Sequence, residues 1–261
     1  MSRLLENKNA IVYGAGGGIG GGVARTFARE GARVFLVGRT KKPLEMIAGK
    51  INADGGAAEV AVLDALDERA VEEHVERVAR AGSVDVSFNL ITRGDVQQIP
   101  LVEMTTADLM RAVTNGLTSN FITARAAARH MIKQGSGVIL HLNSGSARGS
   151  MPLMGSTGPA DAATETFMRY LAAEVGQYGV RVVGIYTAGV ADTLTREKLA
   201  AVGGGGAIDP ADVERAIAGM AMLRRAPRLA QVAETATFLA SDRAAGITGT
   251  IVNVTSGLLP G

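Results

Sequence analysis

A run of glycines between a short apolar strand and a helix constrains this chain more than any other feature. Seven of the nine residues from 14 to 22 are glycine, directly after the apolar residues 9–13 and before the amphipathic residues 23–29. Glycine has no Cβ, so the backbone can approach a phosphate closely, and the following helix directs its free N–H groups to the same point. The segment therefore predicts a strand, a phosphate-binding turn and a helix.

Short runs rich in β-branched residues alternate with amphipathic segments along the whole chain. The runs at 34–37 and 182–185 are apolar on both faces, which is typical of a parallel sheet covered by helices on either side. The pattern predicts one α/β domain over residues 1–261, a doubly wound, seven-stranded parallel Rossmann sheet with helices on both faces. The predicted strands are 9–13, 33–37, 58–63, 84–89, 137–142, 180–186 and 250–254.

Composition and charge exclude several classes of protein. Of 261 residues, 47% are hydrophobic and 20% are charged, and the net charge of +2 is too small to favour a nucleic-acid surface. No apolar run approaches the length of a membrane span, and the charged start does not resemble a targeting peptide, so we expect a cytoplasmic protein. The chain has no cysteine and its three histidines are scattered, so we expect no metal site.

The end of the second predicted strand carries cations where a ribose would be bound. Arg39 and Thr40 stand about twenty residues after Gly20, and Lys41 and Lys42 follow. A carboxylate at this place would accept hydrogen bonds from the ribose 2′-hydroxyl of NAD, whereas cations and a hydroxyl suit a 2′-phosphate. The sequence favours NADP(H) over NAD(H); a solvated basic loop is the alternative.

Six short motifs lie close to the predicted strands. They are Gly14-x-x-x-Gly18-Ile19-Gly20, Leu63-Asp64-Ala65, Val84-Asp85-Val86-Ser87-Phe88-Asn89, Asn143-Ser144, Ala188-Gly189-Val190-Ala191-Asp192-Thr193 and Ile247-Thr248-Gly249-Thr250-Ile251-Val252-Asn253-Val254. Together they span nearly the whole chain, and they resemble the motifs of the short-chain dehydrogenase/reductase family.

The resemblance implies how a nicotinamide dinucleotide would be bound. It implies an adenine contact at Asp64, a backbone contact at Asn89 and nicotinamide contacts around Gly189 and Val190. Combined with the glycine turn and the basic loop, the predicted cofactor-binding residues are Gly14, Gly16, Gly17, Gly18, Ile19, Gly20, Arg39, Thr40, Asp64, Ala65, Asn89, Gly189, Val190 and Thr193.

The catalytic residues of that family are mostly replaced in this sequence. The family uses a tyrosine acid, a lysine four residues later, a serine that holds the substrate oxygen and an asparagine on the fourth helix. Ser144 matches the serine, but Thr157, Asp161 and Gly116 stand at the other three positions. An aliphatic hydroxyl is too weak an acid to donate a proton at neutral pH, and a carboxylate raises the pKa of a neighbouring acid. The sequence predicts a divergent member without the Tyr-x-x-x-Lys pair.

Three other side chains could supply the proton. Tyr186 ends the sixth strand near the expected nicotinamide contact, although a tyrosine packed under the sheet edge gives the same pattern. His141 ends the fifth strand, where strand alternation favours a core position. Asp161 could act itself if it were desolvated and protonated. The catalytic candidates are Ser144, Tyr186, Asp161 and Thr157.

Two functions fit these residues. A divergent NADP(H)-dependent oxidoreductase would reduce an activated C=C, C=N or C=O bond of a small organic substrate, with the proton taken from water or from the substrate. An inactive NADP(H)-binding protein, acting as a sensor or partner subunit, would also keep the cofactor loop beside an altered site. The intact glycine loop argues against cofactor-independent lyase or isomerase chemistry.

Two further expectations concern mobility and assembly. Residues 192–228 predict a flexible lid, with the glycines at 203–206 as its hinge; a disordered surface loop is the alternative. The segments 107–131 and 160–177 resemble the surfaces through which the family forms dimers and tetramers. The resemblance implies a homodimer or homotetramer, with a hetero-oligomer as the alternative, while no nucleic acid or membrane is expected as a partner.

Overall fold

Seven parallel strands form the centre of the molecule. The computed structural model describes residues 3–149, 151–203 and 208–259. The strands lie in the order β3-β2-β1-β4-β5-β6-β7, so the direction of winding reverses between β1 and β4. They are β1 (Asn9–Tyr13), β2 (Arg33–Gly38), β3 (Ala57–Val62), β4 (Val86–Asn89), β5 (Gly137–Asn143), β6 (Val180–Thr187) and β7 (Thr250–Val254).

Helices cover both faces of the sheet. One apolar cluster packs α1, α2 and α8 against one face, and a second packs α3, α4 and α5 against the other. The helices are α1 (Gly18–Arg29), α2 (Lys41–Ala53), α3 (Glu68–Arg80), α4 (Thr106–Gln134), α5 (Thr157–Val175), α6 (Arg196–Val202), α7 (Pro210–Met220) and α8 (Leu229–Ala240). The predicted seven-stranded Rossmann architecture is confirmed.

Several boundaries differ from the sequence prediction; most strands end one residue earlier or later than predicted, and three differences are larger. Helix α1 begins at Gly18, so part of the glycine run is helical rather than turn. Strand β4 begins at Val86, two residues later than predicted. Helix α5 begins at Thr157 rather than at residue 160, because Pro159 lies in the first turn, where its missing N–H removes no helical hydrogen bond.

The predicted lid contains short helices. Within residues 192–228 the structure places most of a 3-10 turn (Ala191–Thr193), all of α6 and all of α7. Three of the four predicted hinge glycines, at 204–206, lie outside the described residues, so the flexibility of the lid stays a prediction. Among the helices in the described ranges, none is both long and apolar enough to cross a bilayer.

The interior contains a histidine that has no hydrogen-bond partner. His141 on β5 is 2% exposed, and its two ring nitrogens are unpaired. Its ring fills the space beside Gly184 of β6, where an added Cβ would lie 2.6 Å from the imidazole. Burial lowers the pKa of His141 from 6.5 to about 4, so the ring is neutral at neutral pH. This is the core position that strand alternation favoured.

We predict that His141 makes the protein less stable in mild acid. The unfolded chain takes up a proton near pH 6.5 and the folded chain only near pH 4, so stability present above pH 6.5 is lost as the pH falls towards 4. The loss approaches about 3 kcal/mol for this residue. Urea unfolding between pH 7.5 and 4 should show a shallower decline for His141→Leu than for the unmodified protein. His130→Gln, at a partly exposed position of α4, is the control, and equal slopes for all three proteins would contradict the prediction.

Candidate functional site

The glycine turn after β1 is closely packed and accepts no side chain. Gly14 has a φ of +77°, and a Cβ built on it would lie 2.4 Å from the carbonyl oxygen of Leu90. A Cβ on Gly20 would lie 2.3 Å from the carbonyl oxygen of Gly14. These two glycines therefore let the turn fold back against α1 and against the chain after β4, at the point where the winding reverses.

The N-terminus of α1 and the ammonium group of Lys198 lie at the exposed side of this turn. Gly16, Gly17 and Gly18 are exposed, and the N-terminus of α1 has no side-chain cap. A Cβ on Gly18 would lie 3.3 Å from Nζ of Lys198 and 3.0 Å from Cγ2 of Thr193. Burial lowers the pKa of Lys198, as expected for an ammonium group that lies partly against the protein. The free N–H groups and the ammonium fit a diphosphate.

The basic loop after β2 lies beside the turn. Arg39 is exposed, with Nη1 4.0 Å from Oδ2 of Asp64 at the end of β3. Thr40 is the N-cap of α2, its hydroxyl caps no backbone group, and the first turn of α2 carries no acidic residue. Asp64 also accepts a hydrogen bond from the backbone of Leu66, and Ala65 beside it is buried.

The remaining predicted cofactor residues lie at the same edge of the sheet. Asn89 is buried, donates to Oγ1 of Thr123 and accepts from the backbone N–H of Ile91, so it holds the chain after β4 in place. Gly189 follows β6 with a φ of +21°, and Val190 beside it is buried. Because the carboxyl ends of parallel strands meet at one edge, the structure brings the predicted cofactor residues together.

Ser144 and Asp161 meet beside this cofactor edge. Asp161 has no exposed surface, and its Oδ2 accepts from Oγ of Ser144 at 2.7 Å and from the backbone N–H groups of Ser144 and Ser146 at 3.2 and 3.0 Å. Its Oδ1 accepts from Nη1 of Arg93 at 2.7 Å. Four donors, one of them a cation, stabilise a carboxylate. The geometry favours ionised Asp161 over the protonated acid that the sequence left open.

Arg93 was missed by the sequence analysis. It follows β4, and its side chain lies between Asp161 and Asp95 with 14% of its surface exposed. Burial opposes its charge, but the two carboxylates outweigh burial and raise the pKa of Arg93. A Cβ on Gly116 would lie 2.7 Å from Cδ of Arg93, so this glycine provides the space for the guanidinium. Nothing in the local sequence marks Arg93, because its partner is 68 residues away.

Thr157 is buried at the start of α5 and touches a different loop. Its Oγ1 accepts from Nε2 of Gln97 at 3.0 Å. The backbone N–H of Gln97 donates to the carbonyl oxygen of Val202 at the end of α6. The loop after β4 therefore connects α5 to the predicted lid, and Thr157 lies within that connection.

The ring of Tyr186 lies beside Gly145, the neighbour of Ser144, but its hydroxyl is poorly suited to release a proton. It is 3% exposed, and its hydroxyl accepts from Nε of Arg148 at 2.9 Å. Burial, and then the hydrogen bond and charge of Glu165, raise the pKa of Tyr186 to about 12, although Arg148 acts in the opposite direction. A general acid works best when its pKa is near the operating pH, so this environment favours the packing alternative.

The fold and this edge define a class of protein. A parallel sheet with a glycine turn at its switch point and a helix N-terminus facing the turn is the arrangement of Rossmann-type dinucleotide-binding domains. Residues 14–259 match the model of a protein family described as Enoyl-(Acyl carrier protein) reductase. The chain belongs to this family of short-chain dehydrogenases and reductases.

Relatives of known name support the assignment. The chain is 31% identical to the 3-oxoacyl-[acyl-carrier-protein] reductase of Pseudomonas aeruginosa, over 97% of this chain and 98% of the relative. It is 30% identical to the (+)-cis,cis-nepetalactol synthase of Nepeta racemosa, over 99% of this chain and 94% of the relative. A solved 7 alpha-hydroxysteroid dehydrogenase, complexed with NADH and 7-oxo glycochenodeoxycholic acid, superposes with a TM-score of 0.86. The two sequences are 29% identical, and the superposition covers 98% of this chain and 96% of the relative.

We predict that Arg93 and Asp161 depend on each other for stability. Arg93→Met leaves the carboxylate of Asp161 buried without its cation, which should lower the unfolding free energy by about 3–5 kcal/mol. Adding Asp161→Asn should recover part of that loss, and a double-mutant cycle in urea measures the coupling.

The matched control is the exposed pair of Arg111 and Asp108, which has the same 2.7 Å separation. Arg111→Met should change stability by less than about 1 kcal/mol. A small effect of Arg93→Met, similar to that of the control, would contradict the prediction.

Proposed function

We propose that the protein is a divergent NADP(H)-dependent oxidoreductase that transfers hydride to an activated C=C, C=N or C=O bond of a small organic substrate. One observation carries this proposal: the cofactor-type edge is intact, while the adjoining centre is built from Ser144, Asp161 and Arg93. The centre can hold and orient a substrate. None of these three residues is the phenol that the family uses as its acid.

The loss of the family's Tyr-x-x-x-Lys pair is part of the proposal. The sequence register gives Thr157 and Asp161 at these two positions, and Asp161 does lie against Ser144. Without the pair, reduction of an ordinary ketone loses general acid catalysis, which contributes about 10²–10⁴ in rate. An activated bond accepts hydride more readily and can take its proton from water or carry it already.

The relatives make hydride chemistry the better proposal. Dehydrogenases and reductases dominate their names, and the solved relatives include complexes with NADH and with NADP. The glycine turn and the N-terminus of α1 fit the diphosphate that these cofactors share. We also propose a homodimer or homotetramer; Phe121 on α4 and Tyr170 on α5 are exposed apolar residues in the segments that the resemblance implicates.

The proposed preference for NADP(H) rests on the exposed Arg39 and on the uncapped N-terminus of α2 at Thr40. A 2′-phosphate there would gain charge-assisted hydrogen bonds. We expect Arg39→Glu to weaken NADPH binding by about ten- to a hundredfold while NADH binding changes little.

Fluorescence titration with both nucleotides measures the two affinities. Lys50→Glu, which makes the same charge change in the last turn of α2, is the control and should keep the preference. A preference for NADPH that survives Arg39→Glu would show that the 2′-phosphate is bound elsewhere.

Hydride transfer is the decisive test of the proposed function. NADPH deuterated at the transferable position of its nicotinamide should deliver deuterium to the carbon of at least one enal, imine or activated ketone, as measured by mass spectrometry of the product. Gly20→Val should abolish NADPH binding because the side chain would meet Gly14, while Gly49→Ala, which meets no atom within 4 Å, should not. Binding without transfer to any substrate would favour an inactive cofactor-binding protein.

A further inference from the structure

The hydroxyl protons next to Asp161 point inward, away from a substrate. Oγ of Ser144 lies 2.7 Å from Oδ2 of Asp161, and an ionised carboxylate can only accept, so Ser144 must donate its single proton there. Oγ of Ser146 also lies 2.7 Å from Oγ of Ser144. Because the proton of Ser144 is already used, Ser146 must be the donor in this second bond.

The two serines therefore form a chain that runs from Ser146 through Ser144 to Asp161. The backbone N–H groups of both serines also donate towards Oδ2 of Asp161, which fixes the direction of the chain. What the chain presents at its outer end is a lone pair on Oγ of Ser146. A neutral carbonyl needs a donor at this place, whereas the chain offers an acceptor.

The charged residues around the two serines also favour a substrate group that donates a hydrogen bond. Buried Asp161 and Asp95, which is 15% exposed, share the guanidinium group of Arg93, and buried Glu165 accepts from Asn143. A second guanidinium group, that of Arg148, donates to Tyr186 instead. Arg148 is exposed to solvent, which screens its charge more than that of the buried groups. The centre therefore carries a net negative charge in a partly buried place, and it favours a cation.

We infer that the reacting group of the substrate is a protonated imine whose N–H donates to Oγ of Ser146, at the outer end of the serine chain. The inference rests on the proposed hydride transfer and narrows it to one of the three bond types.

A protonated imine can be reduced in a site that has no side chain to donate a proton. The reduced nicotinamide supplies a hydride to the imine carbon, and the electron pair of the C=N bond becomes the lone pair of the product amine. The nitrogen already carries its proton, so no side chain has to donate one. A ketone would need a proton on oxygen and an alkene a proton on carbon, and the serine chain can give neither.

Three substrates that share one ring test the inference. They are a five-membered cyclic imine assayed below the pKa of its nitrogen, the N-methyl iminium salt of the same ring, and the corresponding cyclic ketone. The N-methyl salt keeps the charge but has no N–H. We expect kcat/KM for the imine to exceed that for the N-methyl salt by about ten- to a hundredfold, because a charge-assisted hydrogen bond is lost, and to exceed that for the ketone by more.

Two matched variants distinguish the effect of the carboxylate bound to the serines from the effect of removing any nearby negative charge. Asp161→Asn removes the negative charge that favours a cation and leaves Ser144 with a weaker, neutral acceptor, so the ratio of imine to ketone kcat/KM should fall at least about tenfold. Asp95→Asn removes the same charge from the other end of Arg93 without touching the serines, so most of the ratio should remain. A merely structural role of Asp161 would lower both activities and leave their ratio unchanged.

The outcomes distinguish this inference from the proposed function. Deuterium transfer to an enal or activated ketone without faster transfer to the imine, or an unchanged ratio in Asp161→Asn, overturns the inference and leaves the proposed function standing. No transfer to any substrate, in a protein that binds NADPH by fluorescence, overturns both. Fast imine reduction that depends on the N–H and on Asp161 supports both.

Discussion

The ion pair between Arg93 and Asp161 lies where three segments of the protein meet. Arg93 follows β4, Asp161 lies in α5, and the carboxylate also binds the loop after β5 through Ser144. A buried ion pair is tolerated only when both groups are otherwise satisfied, and here Asp95 takes the far side of the guanidinium. The loop after β4, the first turns of α5 and the loop after β5 therefore all contact one charge pair.

The sequence predicted the sheet and the glycine turn because their causes are local. Strands that are apolar on both faces indicate a parallel sheet covered by helices. At Gly14 and Gly20 any Cβ would overlap a backbone oxygen, so only glycine fits. The partner of Asp161 could not be predicted, since the pair spans 68 residues and many arginines were available. Gly116 was interpreted as a lost asparagine, whereas the structure uses it to make room for Arg93.

Helix α6 connects the two halves of the site. Lys198 near its start lies against the glycine turn, and Val202 at its end accepts a hydrogen bond from Gln97 in the loop beside Thr157. A displacement of this helix would change the surroundings of the glycine turn and of the loop beside Thr157 at the same time. The sequence indicated a lid in this region but not that it would touch both sides.

The space that Arg93 fills has an evolutionary consequence. A lysine at position 161 would face the guanidinium of Arg93 with like charge, and any side chain at position 116 would overlap its Cδ. Replacing Arg93 first would leave the buried carboxylate of Asp161 without its cation. Each single step towards the arrangement that the family resemblance implies is thus unfavourable by itself. The effects of substitutions at positions 93, 116 and 161 are therefore expected to depend on one another.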